Sequence, residues 1–200
     1  TCYDPTTWPV STGGAQWTSP DRLRPPVRAT DSVAALKLDL RCASDVTFST
    51  LAMDSLRVHL GGEANLTTSV YELLCNSCTR ILVRDTTPGG TQKTISLPAS
   101  SVRPVGFADD EGMLPYSKRS FIGYRLLQEY FTFPEKFLFL ELTGLGALSE
   151  AGFGGQGGVG VTVGQEKEDR SGAQAGDDEL QEVEGVGVGP VKIVEHQQDR

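Results

Sequence analysis

The stretch SFIGYRLLQEYFTFPEKFLFLELTGL, Ser120 to Leu145, gathers Phe121, Tyr124, Tyr130, Phe131, Phe133, Phe137 and Phe139. The whole 200-residue chain has only eight Phe, five Tyr and two Trp. Pro134 divides the stretch, because proline cannot continue a helix. Before it, the spacing predicts a helix over about 118–131. At 100° per residue, Ile122, Gly123, Tyr124, Leu126, Leu127, Tyr130 and Phe131 cover one wide apolar arc. Arg125, Gln128 and Glu129 form a narrow polar stripe opposite, with Phe121 among them. So wide an arc predicts burial against more than one neighbour. Gly123 costs about 1 kcal/mol relative to Ala inside a helix, which predicts another backbone passing close by. After Pro134, KFLFLEL is apolar on nearly both faces and predicts a strand in the interior of a sheet. Most of the rings are therefore expected in the core. Phe121, Arg125, Gln128 and Glu129 are expected to face outward, as a surface available to a partner.

Working outward, ALKLDLRC alternates. Leu36, Leu38, Leu40 and Cys42 point one way and Lys37, Asp39 and Arg41 the other, the pattern of a half-buried strand. SLRVHL alternates again and ends at Gly61-Gly62. NLTTSVYELLCNS has helical spacing over about 66–77, with Asn65 or Thr67 available as a cap and Ser69 and Glu72 at capping-box separation. TRILVRD and TQKTISLP flank TTPGG, a β-hairpin signal. SPDRLRPP reads as a turn-rich connector, RPVGFADDEGMLPYS as a long loop and GALSEAGF as a short helix. The fold class is α+β and β-rich, with antiparallel or mixed sheets and two main helices. Residues 1–150 form the expected folded portion. Residues 151–200 are rich in glycine and acid, and about 154–190 are expected to be flexible, because the segment has few large side chains to offset ordering entropy. VKIVEH, near the end, reads as an isolated strand.

Composition narrows the chemistry. The net charge is −8. The segment from 151 onward holds ten Asp and Glu against four Lys and Arg, so the main body is close to neutral. Neither part offers the basic face that phosphate binding requires, and nucleic acid is not an expected partner. TCYDPTTWPV lacks the basic and apolar regions of a secretory signal. The uninterrupted apolar runs in the aromatic stretch are far shorter than the ~20 residues that span a bilayer. Four Cys, at 2, 42, 75 and 78, suit free thiols better than a disulfide scaffold. Cys75-Asn-Ser-Cys78 sits at a predicted helix end, where the dipole opposes thiolate formation, and lacks two further ligands at zinc spacing. Two small apolar residues in a core account for it. Gly152, Gly154 and Gly157 match GxGxxG, but no strand precedes them and no amphipathic helix follows. Asp109-Asp110-Glu111 lacks the alternation of a calcium loop. His59 lies on the polar face of its strand, and His196 lies in the acidic segment. Two scattered His assemble no nucleophile–base set. No catalytic, cofactor-binding or metal-ligating residue is expected.

The residues also resemble a known family. YRLLQEYFTFPEKFLFLELTGL, preceded by SVRPVGFADDEGMLPYSKRSFIG, is similar to the signature region of the TssF family, also called ImpG or VasA. The earlier segments TCYDPTTWPV and LKLDLRC to YELLCNS resemble preceding parts of the same family, so the likeness runs over roughly 1–144. The resemblance implies an interior piece of a longer protein and a non-enzymatic role in the baseplate of the type VI secretion system. It implies wedges in which a second TssF copy and TssG associate, joined by TssK and TssE around the VgrG spike. It implies a cytoplasmic baseplate docked at the inner-membrane complex of a Gram-negative bacterium, with no direct membrane insertion. A general binding module for peptide or carbohydrate, using exposed aromatics near Phe121, Phe131 and Phe133, is the alternative.

Overall fold

A computed structural model describes residues 8–23, 26, 32–90, 92–113, 117 and 119–164. Strands β1 (Val10–Thr18), β2 (Ala34–Cys42), β4 (Cys78–Asp85), β5 (Thr94–Pro98) and β8 (Gln156–Val163) form a five-stranded antiparallel sheet in the order β1-β2-β8-β4-β5. Strands β3 (Ser55–His59), β6 (Val102–Pro104) and β7 (Phe139–Thr143) form a second antiparallel sheet in the order β3-β7-β6. The helices are α1 (Ala64–Asn76), α2 (Ile122–Thr132) and the short α3 (Gly146–Glu150). The α+β, strand-rich class is as expected.

The inner face of the large sheet supplies Leu36, Leu38, Leu40, Ile81, Val83, Val159, Val161 and Val163 to one core cluster. The small sheet supplies Leu56, Val58, Leu140 and Leu142, and α1 adds Val70 and Leu74. The alternation in β2 is thus the signature of a strand with one face on this core. β7 lies between β3 and β6, which is why its sequence is apolar. The strand expected from Lys136 starts later: Pro134–Leu138 winds as a 3-10 turn that buries Phe137 before extension begins at Phe139. α1 carries no side-chain N-cap. Thr67, Thr68 and Ser69 turn their hydroxyls back onto the carbonyls of Glu63, Ala64 and Asn65 at 2.8, 2.9 and 3.0 Å. These hydroxyls spend their hydrogen bonds inside the helix instead of capping it.

The largest departure is β8. It falls in the glycine-rich segment expected to be flexible, and it is the central strand of the large sheet, hydrogen-bonded to β2 and β4. Its glycines are fitted to neighbours. A Cβ on Gly157 would come 3.2 Å from the Phe48 ring, and one on Gly160 would come 3.1 Å from Leu23. The boundary expected at residue 150 therefore does not divide the fold. The rest of that acidic segment, with VKIVEH, lies outside the described residues. β1, which the sequence did not announce, is irregular between Thr12 and Gly14, where the register shifts.

The formal GxGxxG has a structural explanation. Gly152, at φ +69°, follows α3, and a Cβ on Gly154 would lie 2.4 Å from Thr87 Oγ1. The motif leads from a helix into a strand, the reverse of a dinucleotide fingerprint. Asp85, buried at the end of β4, accepts hydrogen bonds from the backbone N–H of Thr87 (3.0 Å) and of Gly154 (3.3 Å). Burial alone would raise its pKa, but these bonds and the Lys93 charge outweigh that and hold it below the usual carboxylate range.

A candidate assembly surface on an inverted helix

The segment before α2 fixes how the helix sits. From Val105 to Gly112 the chain runs as a loop with a 3-10 turn at Asp109–Glu111. Glu111 draws it together: its Oε2 accepts the N–H of Gly106 at 2.7 Å and of Ala108 at 3.0 Å, and its Oε1 accepts Arg57 Nη2 at 3.4 Å. The carbonyls of Phe107, Ala108 and Asp109 face α2, and that of Ala108 already accepts the Glu111 N–H at 3.1 Å.

Arg125 binds all three. Its Nη1 donates to the Asp109 carbonyl at 2.9 Å, and its Nη2 donates to the carbonyls of Ala108 at 2.8 Å and Phe107 at 3.5 Å. One turn later Glu129 accepts the Met113 N–H at 2.9 Å and a hydrogen bond from Lys136 Nζ. Arg125 is 4% exposed and Glu129 8%. A buried charge is costly unless it is compensated: Glu129 is ion-paired with Lys136, and Arg125 is held by backbone carbonyls, with its Nε left without a partner. Burial would raise the Glu129 pKa. The Lys136 hydrogen bond, the Met113 N–H and the charges of Lys136 and Arg125 outweigh it and lower it from the ordinary glutamate value.

α2 is therefore inverted relative to its periodicity. The expected outward stripe of Phe121, Arg125, Gln128 and Glu129 splits: Arg125 and Glu129 face inward, while Phe121 and Gln128 are exposed. The arc expected in the core faces solvent. Phe121, Tyr124, Leu127, Tyr130, Phe131 and Phe133 are between 42% and 81% exposed. Ile122 and Leu126 at the arc's edge are half-buried. Of the seven rings in the stretch, Phe137 alone is fully buried, and Phe139 is half-buried against the His59 ring at 4.6 Å. Gly123 does not admit a passing backbone. It admits the Phe121 ring, 2.4 Å from where its Cβ would be.

At about 200 Å² per large side chain, the six exposed residues present on the order of 700 Å² of largely apolar surface. That exceeds the ~300–600 Å² of the largest patch on a typical monomer. The rings pair at both ends: Phe121 with Tyr124 at 5.8 Å and 87°, and Tyr130 with Phe131 at 5.7 Å and 78°. Tyr130 also meets Phe137 at 5.9 Å, which in turn meets Phe107 at 5.1 Å, so the surface continues onto the loop.

Other candidate chemistry does not converge. Cys75 lies in the last turn of α1 and Cys78 begins β4, both half-buried, and burial raises both thiols. Asp109 and Asp110 are exposed. Among the described residues, no group of His, Cys, Asp and Glu is arranged to hold a metal ion, and no helix is long and apolar enough to cross a membrane.

The family described as type VI secretion system, TssF, matches residues 1–177. The chain belongs to the TssF family. A curated relative, type VI secretion system component TssF1 of Pseudomonas aeruginosa, is 34% identical over 148 residues, covering 72% of this chain and 23% of that protein. A solved structure, the TssK-TssF-TssG baseplate subcomplex, contains a chain of the same fold, with a TM-score of 0.62 and 24% identity over 84% of this chain and 29% of that one. This TssF chain thus spans about a quarter of the length of the relatives it matches.

Proposed function

We propose that this chain is a contact-forming portion of a type VI secretion baseplate wedge and has no chemistry of its own. The observation that carries the reading is α2. Two buried charges are spent to hold an aromatic arc in solvent, an arrangement with no use in an isolated domain. Family membership supplies the setting. In this reading TssG and TssK are partners of the longer protein, two TssF copies enter each wedge, and TssE and the VgrG spike join them. The wedge stands in the cytoplasm against the inner-membrane complex. The test is co-expression of the full-length protein that contains this chain with its TssG and TssK homologues, followed by affinity purification. A stable complex is expected. Failure to co-purify under conditions where each subunit is soluble would overturn the reading.

The exposure of Phe121, Phe131 and Phe133 favours a second reading, a general binding module for peptide or carbohydrate. Titration of the chain with glycan and peptide arrays separates the two: selective binding lost in Phe131→Ala supports the module, and silence removes it.

A further inference from the structure

The outer face of the large sheet carries the opposite charge to the chain as a whole. In β2, Lys37, Asp39 and Arg41 alternate with the leucines of the core, and in β4, Arg80, Leu82 and Arg84 alternate with Ile81 and Val83. Among the described residues of the five strands, Asp39 is the one carboxylate on that face. Arg22 adds a cation from the 3-10 turn Pro20–Arg22, with Asp21 beside it. Five cations thus stand against two carboxylates, in a chain whose net charge is −8.

A cleft of about 470 Å³ opens in this face, within the roughly 300–1,000 Å³ range of ligand sites. Gly158 and Gly160 of β8 form its floor with Leu82, and Lys37 and Arg84 flank it from β2 and β4. Arg22 stands at the end where Leu23 covers Gly160. The glycines of the floor differ. Gly160 makes room for Leu23, but a Cβ on Gly158 would meet only ordinary contacts, 3.4 Å from Thr86 Cγ2 and 3.9 Å from Asp39 Oδ1. Packing within the chain does not demand glycine there. A glycine inside a strand weakens it and often marks a place where a ligand or another backbone comes close.

The spacing suits an extended chain. β2 and β4 lie one strand to either side of β8, so Lys37 and Arg84 rise about 10 Å apart across the strands. Lys37 is held at its wall by Asp39 at 3.2 Å, and Arg84 Nη2 donates to Gln92 Oε1 at 2.8 Å. An extended peptide turns successive side chains to opposite sides. Two consecutive acidic residues laid along the floor would therefore reach Lys37 on one wall and Arg84 on the other. A nucleic acid strand fits less well, because its bases need aromatic platforms. The exposed rings lie on α2 and its flanks, and Trp17 at the cleft packs against the core.

We propose that this cleft binds an extended acidic segment of another polypeptide, with consecutive carboxylates on Lys37 and Arg84. The site lies apart from α2 and adds an electrostatic contact to an aromatic one. Co-purification with TssG and TssK tests the assembly reading, and the cleft is tested by itself.

The test is fluorescence anisotropy of a labelled hexa-aspartate peptide titrated with the 200-residue chain at low salt, with circular dichroism to confirm that each variant is folded. Saturable binding is expected, weakening as salt rises because exposed charges are screened. Lys37→Gln combined with Arg84→Gln should weaken it at least about tenfold. Gly158→Val is the sharper variant, since it keeps every charge, fills the floor and should weaken binding as much. Gly158→Ala serves if valine disturbs the sheet. Arg103→Gln, an equal loss of charge on the small sheet, should leave binding unchanged. Absence of binding up to about 1 mM, equal weakening by Arg103→Gln, or undiminished binding in the folded Gly158 variants would each overturn the proposal. A single-stranded oligonucleotide that binds more tightly than the peptide, with the same sensitivity to Gly158, would assign the cleft to nucleic acid and overturn it. Binding that emerges only when the acidic residues beyond 164 are changed to their amides would show that the chain's own segment fills the cleft, and would overturn it as well.

Discussion

Arg125→Met is the most direct measure of the inverted helix. Met keeps the helix propensity and much of the side-chain volume but removes the guanidinium. Two strong bonds to the Asp109 and Ala108 carbonyls, at 2.9 and 2.8 Å, and a weaker one to Phe107 at 3.5 Å would be lost. Each charge-assisted bond contributes about 1.5 kcal/mol or more. The variant also removes a positive charge that favours ionised Glu129. Breaking a buried charged contact from one side costs about 3–5 kcal/mol, so a loss near 3 kcal/mol is expected. Leu127→Glu, on the exposed arc, is the paired control. It swaps two good helix formers at a surface position and should stay within about 0.5 kcal/mol. Urea titrations followed by the two Trp and by far-UV circular dichroism, at a concentration low enough to keep the chain monomeric, give both numbers. If Arg125→Met costs less than about 1 kcal/mol and Leu127→Glu costs more, then the apolar arc is buried and the orientation described here is wrong.

Phe137→Ala should cost roughly 3–5 kcal/mol, while Phe139→Ala, half-buried on His59, should cost about 1–2 kcal/mol; equal costs in denaturant would refute the placement of Phe137 in the turn before β7. Glu129 and Asp85 both have lowered folded-state pKa values. Their contribution is complete above the unfolded carboxylate range near 4 and is lost as pH falls through the lowered folded values. Stability should thus drop as pH falls below the unfolded carboxylate range near 4 and on through the lowered folded values, and a Glu129→Gln, Asp85→Asn double variant, less stable at neutrality, should show a shallower drop; an equally steep acid limb would count against both sites. Burial pushes the Cys42 thiol up to about 11, so its alkylation by iodoacetamide at pH 8 should run about a hundredfold slower in the native chain than in urea, and similar rates would contradict its environment.

The parts of the fold legible in the sequence are those whose burial is one-sided. β2 and β3 announce themselves because Leu36, Leu38, Leu40 and Leu56, Val58 enter the same core while their alternate neighbours do not. The β4–β5 hairpin is legible from TTPGG and the strands around it. β8 escaped because its signal is hidden by glycine. Gly157 and Gly160 are small to make room for Phe48 and Leu23, residues more than 100 positions away in sequence. No local pattern distinguishes a glycine fitted under a distant ring from one in a solvated linker. β1 escaped for a related reason: Gly13-Gly14 interrupts its alternation where the register against β2 shifts.

The failure on α2 is of another kind. Its periodicity correctly gives two faces but cannot say which one turns inward. That is decided by what lies beneath the helix, and here it is a loop whose carbonyls at Phe107, Ala108 and Asp109 offer acceptors to Arg125. An apolar arc laid on that loop would forgo the Arg125 bonds and leave only the Ala108 carbonyl with its loop partner, the Glu111 N–H; each acceptor buried without a partner costs about 1–3 kcal/mol. The polar stripe satisfies them, and the arc is left outside. Three signals were present in the sequence: Arg125 and Glu129 one helical turn apart, Lys136 seven residues further on, and a loop crowded with small and acidic residues just upstream. In a protein that works alone, leaving that arc in water would be a liability. In one that works by assembly, the same arrangement holds an adhesive surface in place, through the Glu129–Lys136 ion pair and the Arg125 bonds to carbonyls, before any partner arrives. The partner then meets rings already ordered by their own contacts, and the entropy of fixing them has been spent in folding instead of in binding.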